Sequence, residues 1–140
     1  MSGIRGKDTA PELRLRSLLH RAGFRFALHD PSLPGKPDIK LTRYGAVIQV
    51  QGCFWHGHDC PLFKLPESNA EFWQVKIASN QARDIRNEQL LRERGWRLLT
   101  VWECALRRPG LPDATLVRQV TRWIKSGAPS SEIRGQPKLT

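Results

Sequence analysis

The sequence predicts one layered α/β domain, and three observations carry that reading. Its 140 residues match the size of a single domain, and a hydrophobic share of 39% supplies one core but not two. Apolar residues recur at helical spacing in some stretches and as short strand-type runs in others. The resulting order is helix, three strands, helix, strand, helix, with no internal repeat.

Thr9-Ala10-Pro11-Glu12 opens the first helix. Thr9 can cap backbone donors, Pro11 suits a first turn and Glu12 completes a capping box. Leu15, Leu18, Leu19 and Ala22 follow at helical spacing, and Gly23 ends the run. Phe24 to His29 reads as a short strand. The prolines and glycine between Pro31 and Pro37 exclude regular structure there. Asp38 to Leu41 and Gly45 to Val50 read as two strands joined by a turn at Thr42-Arg43-Tyr44.

Residues 51–67 are irregular and crowded with Cys, His and aromatic side chains. From Asn69 a helix of about 25 residues is expected, with Phe72, Val75, Ala78, Ala82 and Ile85 as its buried stripe and Gly95 past its end. Phe72 is accordingly assigned to core packing. Trp96 to Trp102 reads as a strand. Asp113 can cap a last helix carrying Leu116, Val117, Val120, Trp123 and Ile124. Trp96, Trp102 and Trp123 lie in these apolar runs and are read as core. Periodicity stops after Ser126, so residues 1–125 are expected to form the domain and residues 126–140 a flexible tail.

Composition narrows the function class. No run of eighteen apolar residues offers a membrane span, and Met1 to Lys7 lacks the apolar stretch of a signal peptide. A cytoplasmic protein is expected. Three cysteines without an export signal argue against a disulfide scaffold. Lys and Arg total 23 against 13 Asp and Glu, a formal net charge of +10. Residues 125–140 hold three basic residues and one acidic one, so most of the excess belongs to the folded body. A basic globular body is the electrostatic footprint of a nucleic-acid binder.

Cys53, His56, His58 and Cys60 supply four potential ligands within eight residues, and Cys104 follows the late strand. A structural zinc takes four thiolate or imidazole ligands, which three cysteines and one histidine satisfy. The plainer alternative is inert buried cysteines beside surface histidines. With five candidates for four places one histidine is left over, and spacing alone does not settle which. A spare imidazole beside a metal-stapled loop is a natural proton-transfer group.

Together these stretches resemble the very-short-patch repair (Vsr) DNA mismatch endonucleases. The matching pieces are Ile4 to Thr9, Pro11-Glu12, Leu33 to Asp38, the loop Gly52-Cys53-Phe54-Trp55-His56-Gly57-His58, Glu71-Phe72-Trp73, Lys76-Ile77, Gly95-Trp96-Arg97 and Val101 to Cys104. They cover about residues 1–125, in order and with compatible spacing. The resemblance implies a restriction-endonuclease-like fold, a central mixed β-sheet flanked by helices, with a structural zinc site. It also implies an Mg²⁺-dependent nick 5′ to the thymine of a T·G mispair, which starts repair of deaminated 5-methylcytosine.

By the same resemblance Asp38 and the carbonyl of Val50 hold Mg²⁺, His56 is the general base, and Glu12 supports the centre from the first helix. His58 joins Cys53, Cys60 and Cys104 on zinc. Phe54, Trp55 and Trp73 are implied as a major-groove wedge that unstacks the mispair, with Met1 and Ile4 entering from the minor groove. The implied partner is double-stranded DNA carrying a T·G mismatch, within a pathway of mismatch-repair and resynthesis proteins, at the nucleoid. One active site suffices for a single nick, so a monomer is expected.

Two departures stand out. Gln51 occupies a catalytic-strand position where well-known family members have a histidine, and glutamine cannot act as a base at neutral pH. The region ahead of Ile4 is short compared with the basic arm of relatives, which predicts weaker DNA binding or looser sequence selectivity. Gln51 motivates an alternative, a zinc-stabilised protein that binds distorted DNA and cuts weakly or not at all. A DNA nickase without mismatch specificity is the other alternative.

Overall fold

A computed structural model describes residues 9–58, 60, 63–107 and 110–135. Helix α1 spans Ala10–Arg21, and short strands β1 (Ala27–Leu28) and β2 (Ile39–Leu41) follow. A 3-10 turn at Thr42–Tyr44 leads into β3 (Ala46–Gln51). Helix α2 (Ala70–Glu93) and β4 (Arg97–Trp102) come next, then the single-turn α3 (Glu103–Leu106), α4 (Asp113–Ser126) and β5 (Ser131–Ile133). The five strands form one mixed sheet in chain order. The pairs β1–β2 and β2–β3 are antiparallel, whereas β3–β4 and β4–β5 are parallel. The parallel pair β3–β4 uses α2 as its crossover, as parallel pairing requires.

Strand alternation divides the core between the two faces of the sheet. Ile48, Leu99 and Val101 face Leu15, Leu18 and Leu19 of α1 and Leu116, Val120, Trp123 and Ile124 of α4. Val47 and Leu98 face the other way, against Leu91 at the end of α2, Leu33 and the half-buried Trp96. Arg97 locks this frame, donating to the carbonyls of Tyr44, Trp123, Ile124 and Ala128. Arg14 ties α1 to the α3–α4 connection through the carbonyls of Leu106 and Leu111 and the carboxylate of Asp113. No helix among the described residues is long and apolar enough to cross a membrane.

Several local expectations are corrected. The first strand shrinks to Ala27–Leu28, because Phe24 turns into the core and bonds back to the Leu19 carbonyl. Asp113 is the first residue of α4 rather than its cap; Pro112 is the cap, and the Asp113 carboxylate goes to Arg14. Thr9 does cap α1, accepting from the Glu12 N–H at 3.4 Å.

The larger corrections concern α2 and the segment after Ser126. The stripe Phe72, Val75, Ala78, Ala82 and Ile85 faces solvent, and Phe72 is 60% exposed rather than packed in the core. The buried residues of α2 are Ile77, Asn80 and Leu91, because polar contacts to the loop after β3 set the helix's rotation. Of the segment expected to be a flexible tail, the described residues 126–135 include β5, which pairs with Leu99–Val101 and buries Ile133, while residues 136–140 lie outside the described residues. Pro129 and Ser130 aid this docking, since the Pro129 carbonyl accepts from the Trp123 indole and the Ser130 hydroxyl from the Leu98 N–H.

Candidate active site

Two clusters stand side by side at the C-terminal end of β3. The first joins Asp38, at the entry to β2, with Glu12 of α1 and His29, which follows β1. Asp38 is 3% exposed and Glu12 1%, so both carboxyls sit inside the protein. One Asp38 oxygen, Oδ2, accepts the Val50 N–H at 2.7 Å; the other, Oδ1, lies 3.5 Å from His29 Nε2. His29 Nε2 is also 2.7 Å from Glu12 Oε2, and Arg16 pairs with that same oxygen.

Burial pushes the Asp38 carboxyl up to about 7, and the neighbouring Glu12 adds to the rise. The Val50 N–H and Arg16 oppose it. Buried carboxyls collected around one point with an imidazole are a poor arrangement without a cation and a suitable one with it. Carboxylate oxygens suit a hard divalent ion.

The second cluster gathers Cys53, His58, Cys60 and Cys104. Cys53 and Cys60 are fully buried, while His58 and Cys104 are nearly so. Cys53 Sγ and Cys104 Sγ lie 3.5 Å and 3.6 Å from His58 Nδ1. A tetrahedral zinc with Zn–S near 2.3 Å and Zn–N near 2.0 Å sets its S···N edges at about 3.5 Å, so the cluster fits such an ion. Burial pushes the Cys53 and Cys104 thiols up. The Gly135 N–H donates to Cys104 Sγ at 3.3 Å, and the Glu103 carboxylate accepts the Cys53 N–H. His58 stacks on Trp102, with ring centroids 3.9 Å apart and planes 4° from parallel.

His56 lies on the loop between Cys53 and His58 and lines the cleft it shares with Glu12. Its Nδ1 lies 2.5 Å from Asp84 Oδ2 on α2. Asn80 and Gln81 donate to the carbonyls of Trp55 and His56, holding the loop from the same helix face. Gly57 allows the close approach, since its φ is +61° and a Cβ there would come within 2.7 Å of Gln81 and 2.8 Å of Ile77.

A cleft of about 640 Å³ opens over this region. Glu12, Val50, Gln51, Trp55 and His56 all line it, with Arg83 and Arg107 at its sides. Phe54, Trp55 and Trp73 form an aromatic group beside it, with centroid separations of 5.2, 5.5 and 5.6 Å. Trp55 is 36% exposed, so a large aromatic surface stays open to a ligand. The expected site residues from Glu12 through Trp73 thus converge, while Met1 and Ile4 lie outside the described residues.

Sequence reading missed His29 and Asp84. Nothing local marks His29, whose place beside Asp38 comes from β1–β2 pairing. Asp84 carried a usable signal. Ile77, Asn80, Gln81 and Asp84 fall at i, i+3, i+4 and i+7, one helix face, and the rule for apolar stripes passes over three polar members.

Residues 1–62 match the family model for the DNA mismatch endonuclease Vsr. The DNA mismatch endonuclease Vsr of Escherichia coli K12 is 47% identical over 97% of this chain and 88% of its own length. The type II nicking enzyme V.XorIIP of Xanthomonas oryzae is 47% identical over 83% of this chain and 85% of its own. V.NmeAIP of Neisseria meningitidis, another type II nicking enzyme, is 42% identical over 89% of both. With the buried acid cluster, the Cys and His cluster and the aromatic-flanked cleft, these similarities establish that the chain belongs to the Vsr family of DNA mismatch endonucleases.

Proposed function

We propose that this chain is a strand-specific, Mg²⁺-dependent endonuclease that nicks DNA 5′ to the thymine of a T·G mismatch, and so initiates very-short-patch repair. The observation that carries the reading is the shared cleft lined by Glu12, Val50, Gln51 and His56, with the Val50 N–H bonded to the buried Asp38 carboxyl. Family membership supplies the reaction class and the restriction-endonuclease-like fold. Two of the similar proteins are named nicking enzymes, consistent with a cut in one strand. The catalytic unit is residues 1–125 with β5 docked along its sheet edge.

Asp38 and the Val50 carbonyl would hold Mg²⁺, with Glu12 supporting the pair. When bound, the ion supplies positive charge against the scissile phosphate and its leaving oxygen. His56 serves as general base. With its Nδ1 proton directed at Asp84, the imidazole presents Nε2 as acceptor for the proton of the attacking water. Gln51, 9% exposed at the end of β3, can orient a water or a phosphate oxygen but cannot take a proton. Arg83 and Arg107 meet the DNA backbone, as their charge and position on the cleft suit.

The Cys53, His58, Cys60 and Cys104 set holds a structural zinc. Its role is to fix the loop that carries Phe54, Trp55 and His56, so recognition and catalysis share one rigid support. Phe54, Trp55 and Trp73 wedge into the duplex at the mispair, with Met1 and Ile4 entering from the minor groove. A T·G step stacks less well than a matched pair and costs less to open.

End-labelled duplexes with T·G mispairs in varied contexts, set beside matched T·A controls, test the reading. The expected product is one nick 5′ to the mispaired thymine, requiring Mg²⁺ and absent from the controls. Binding without cutting would make this a recognition protein disabled at Gln51. Equal cutting of matched duplexes would remove mismatch specificity.

A further inference from the structure

We infer that His29 is a nitrogen ligand of the cation site it forms with Glu12 and Asp38, giving that site a mixed nitrogen–oxygen donor set that favours Mn²⁺-like ions over Mg²⁺. The inference rests on the reading that Asp38 holds the catalytic cation, and it adds a residue to that site.

The geometry is that of a ligand. His29 Nε2 lies 2.7 Å from Glu12 Oε2 and 3.5 Å from Asp38 Oδ1, and all three atoms fall within 4.8 Å of one another. Adjacent ligands of an octahedral ion with bonds of about 2.1 Å stand about 3 Å apart, so these separations bracket the required edge. Asp38 Oδ2 is committed to the Val50 N–H, which leaves Oδ1, the atom facing His29, for a cation.

The backbone supports the same conclusion. His29 has a φ of +48°, a left-handed conformation that non-glycine residues seldom adopt. Its N–H bonds to the Asp38 carbonyl at 3.2 Å. The next residue, Asp30, anchors the turn by accepting from Ser32 and Lys40. A strained residue held at both ends, with its ring turned onto two buried carboxyls, is built for a position rather than for solvent.

The chemistry follows from donor type. Mg²⁺ prefers an all-oxygen shell, whereas imidazole nitrogen suits later and softer divalent ions. Arg16 on the same Glu12 oxygen lowers the negative charge of the site, which gives the neutral nitrogen donor more weight in the choice of ion.

The test uses the full chain with zinc retained, titrated with Mn²⁺ and read by pulsed electron paramagnetic resonance. The parent is expected to show nitrogen coupling from one directly bound imidazole. His56→Gln should keep that coupling and His29→Gln should lose it. In His29→Gln, Mn²⁺ affinity should fall roughly tenfold or more while Mg²⁺ affinity, read by competition, moves less than about threefold. Coupling that persists in His29→Gln, or equal losses for both ions, overturns the inference. Should His29→Gln fail to fold, the His56→Gln spectrum decides, since absence of imidazole coupling there also overturns it. Asp38→Asn separates the two readings. If it leaves Mn²⁺ binding intact, the placement of the cation on Asp38 fails as well; if it abolishes binding while His29→Gln keeps the coupling, only the His29 inference fails.

Discussion

His56 Nδ1 lies 2.5 Å from the Asp84 carboxylate, across the gap between the loop after β3 and helix α2. The contact fixes both the orientation of the ring and the nitrogen that keeps its proton. An imidazole so held has its other nitrogen free of that proton, which is what a base acting on water needs.

Replacing Asp84 with asparagine should therefore slow nicking without weakening DNA binding. The expected fall in kcat is roughly 10²- to 10⁴-fold, the usual range for losing a positioned base or its orienting partner. Single-turnover cleavage beside a binding titration checks it. A loss confined to binding would relocate Asp84 to a DNA contact.

Asp38 predicts a pH dependence of its own. Its carboxyl in the metal-free protein sits near 7, above the ordinary 3.8, so the folded state holds a proton that the unfolded state releases. Folded stability is then highest below the ordinary value and declines as pH rises from about 4 to about 7. Asp38→Asn, neutral at every pH, should raise the melting temperature of metal-free protein at pH 8 and change it little at pH 4. On the proposed placement of the cation, Mg²⁺ should reverse the ranking at pH 8, because asparagine lacks the carboxylate that would hold it. A pH-independent difference between the two would place the effect in packing rather than in ionisation.

Much of this centre was legible because its parts lie in short motifs. Cys53, His56, His58 and Cys60 mark the loop as a candidate metal site by composition, though spacing does not say which histidine joins the cysteines, and Asp38 after Pro37 is marked by the family likeness. What could not be read depends on which face a helix turns inward. An apolar stripe on α2 predicted burial of Phe72, yet Asn80, Gln81 and Asp84 set the rotation through bonds to a loop distant in sequence. His29, just past β1, is a similar case, since only β1–β2 pairing brings it to Asp38. The segment after Ser126 lacks periodicity because β5 is three residues long, too short for a pattern to register.

Loss of one proposed zinc ligand should have a structural signature. Cys104→Ser removes a thiolate from a buried set and releases the tie between α3 and the loop carrying His56. Zinc content should drop from one equivalent to below detection, and stability should fall by several kcal/mol. Metal analysis with thermal unfolding checks both. A stable, metal-free Cys104→Ser protein would contradict a structural role for the ion.

Gly57 should accept a side chain only at a cost. At a φ of +61° an added Cβ would approach Gln81 and Ile77 within 2.8 Å, and the strained backbone adds to the clash. Gly57→Ala is expected to cost about 1–3 kcal/mol and to lower nicking beyond what stability explains, because His56 is the adjacent residue. Unfolding in denaturant and activity at a temperature where both proteins are folded separate the two effects. Parent-like activity would show that the loop repacks around the methyl group.

The aromatic residues divide by exposure and by neighbourhood. Phe72, at 60% exposure, touches Trp73 but lies outside the cleft lining, whereas Trp55 lines the cleft and packs against both Phe54 and Trp73. Phe72→Ala should change stability by no more than about 0.5 kcal/mol, as expected for an exposed position. Trp55→Ala should leave the fold standing and weaken binding to T·G duplex by about 1–3 kcal/mol, the worth of a base-stacking aromatic. The matched duplex, which resists opening, should lose much less, so the ratio of the two affinities is the decisive quantity. Equal losses on both duplexes would make Trp55 a general DNA contact and leave mismatch sensing to other residues.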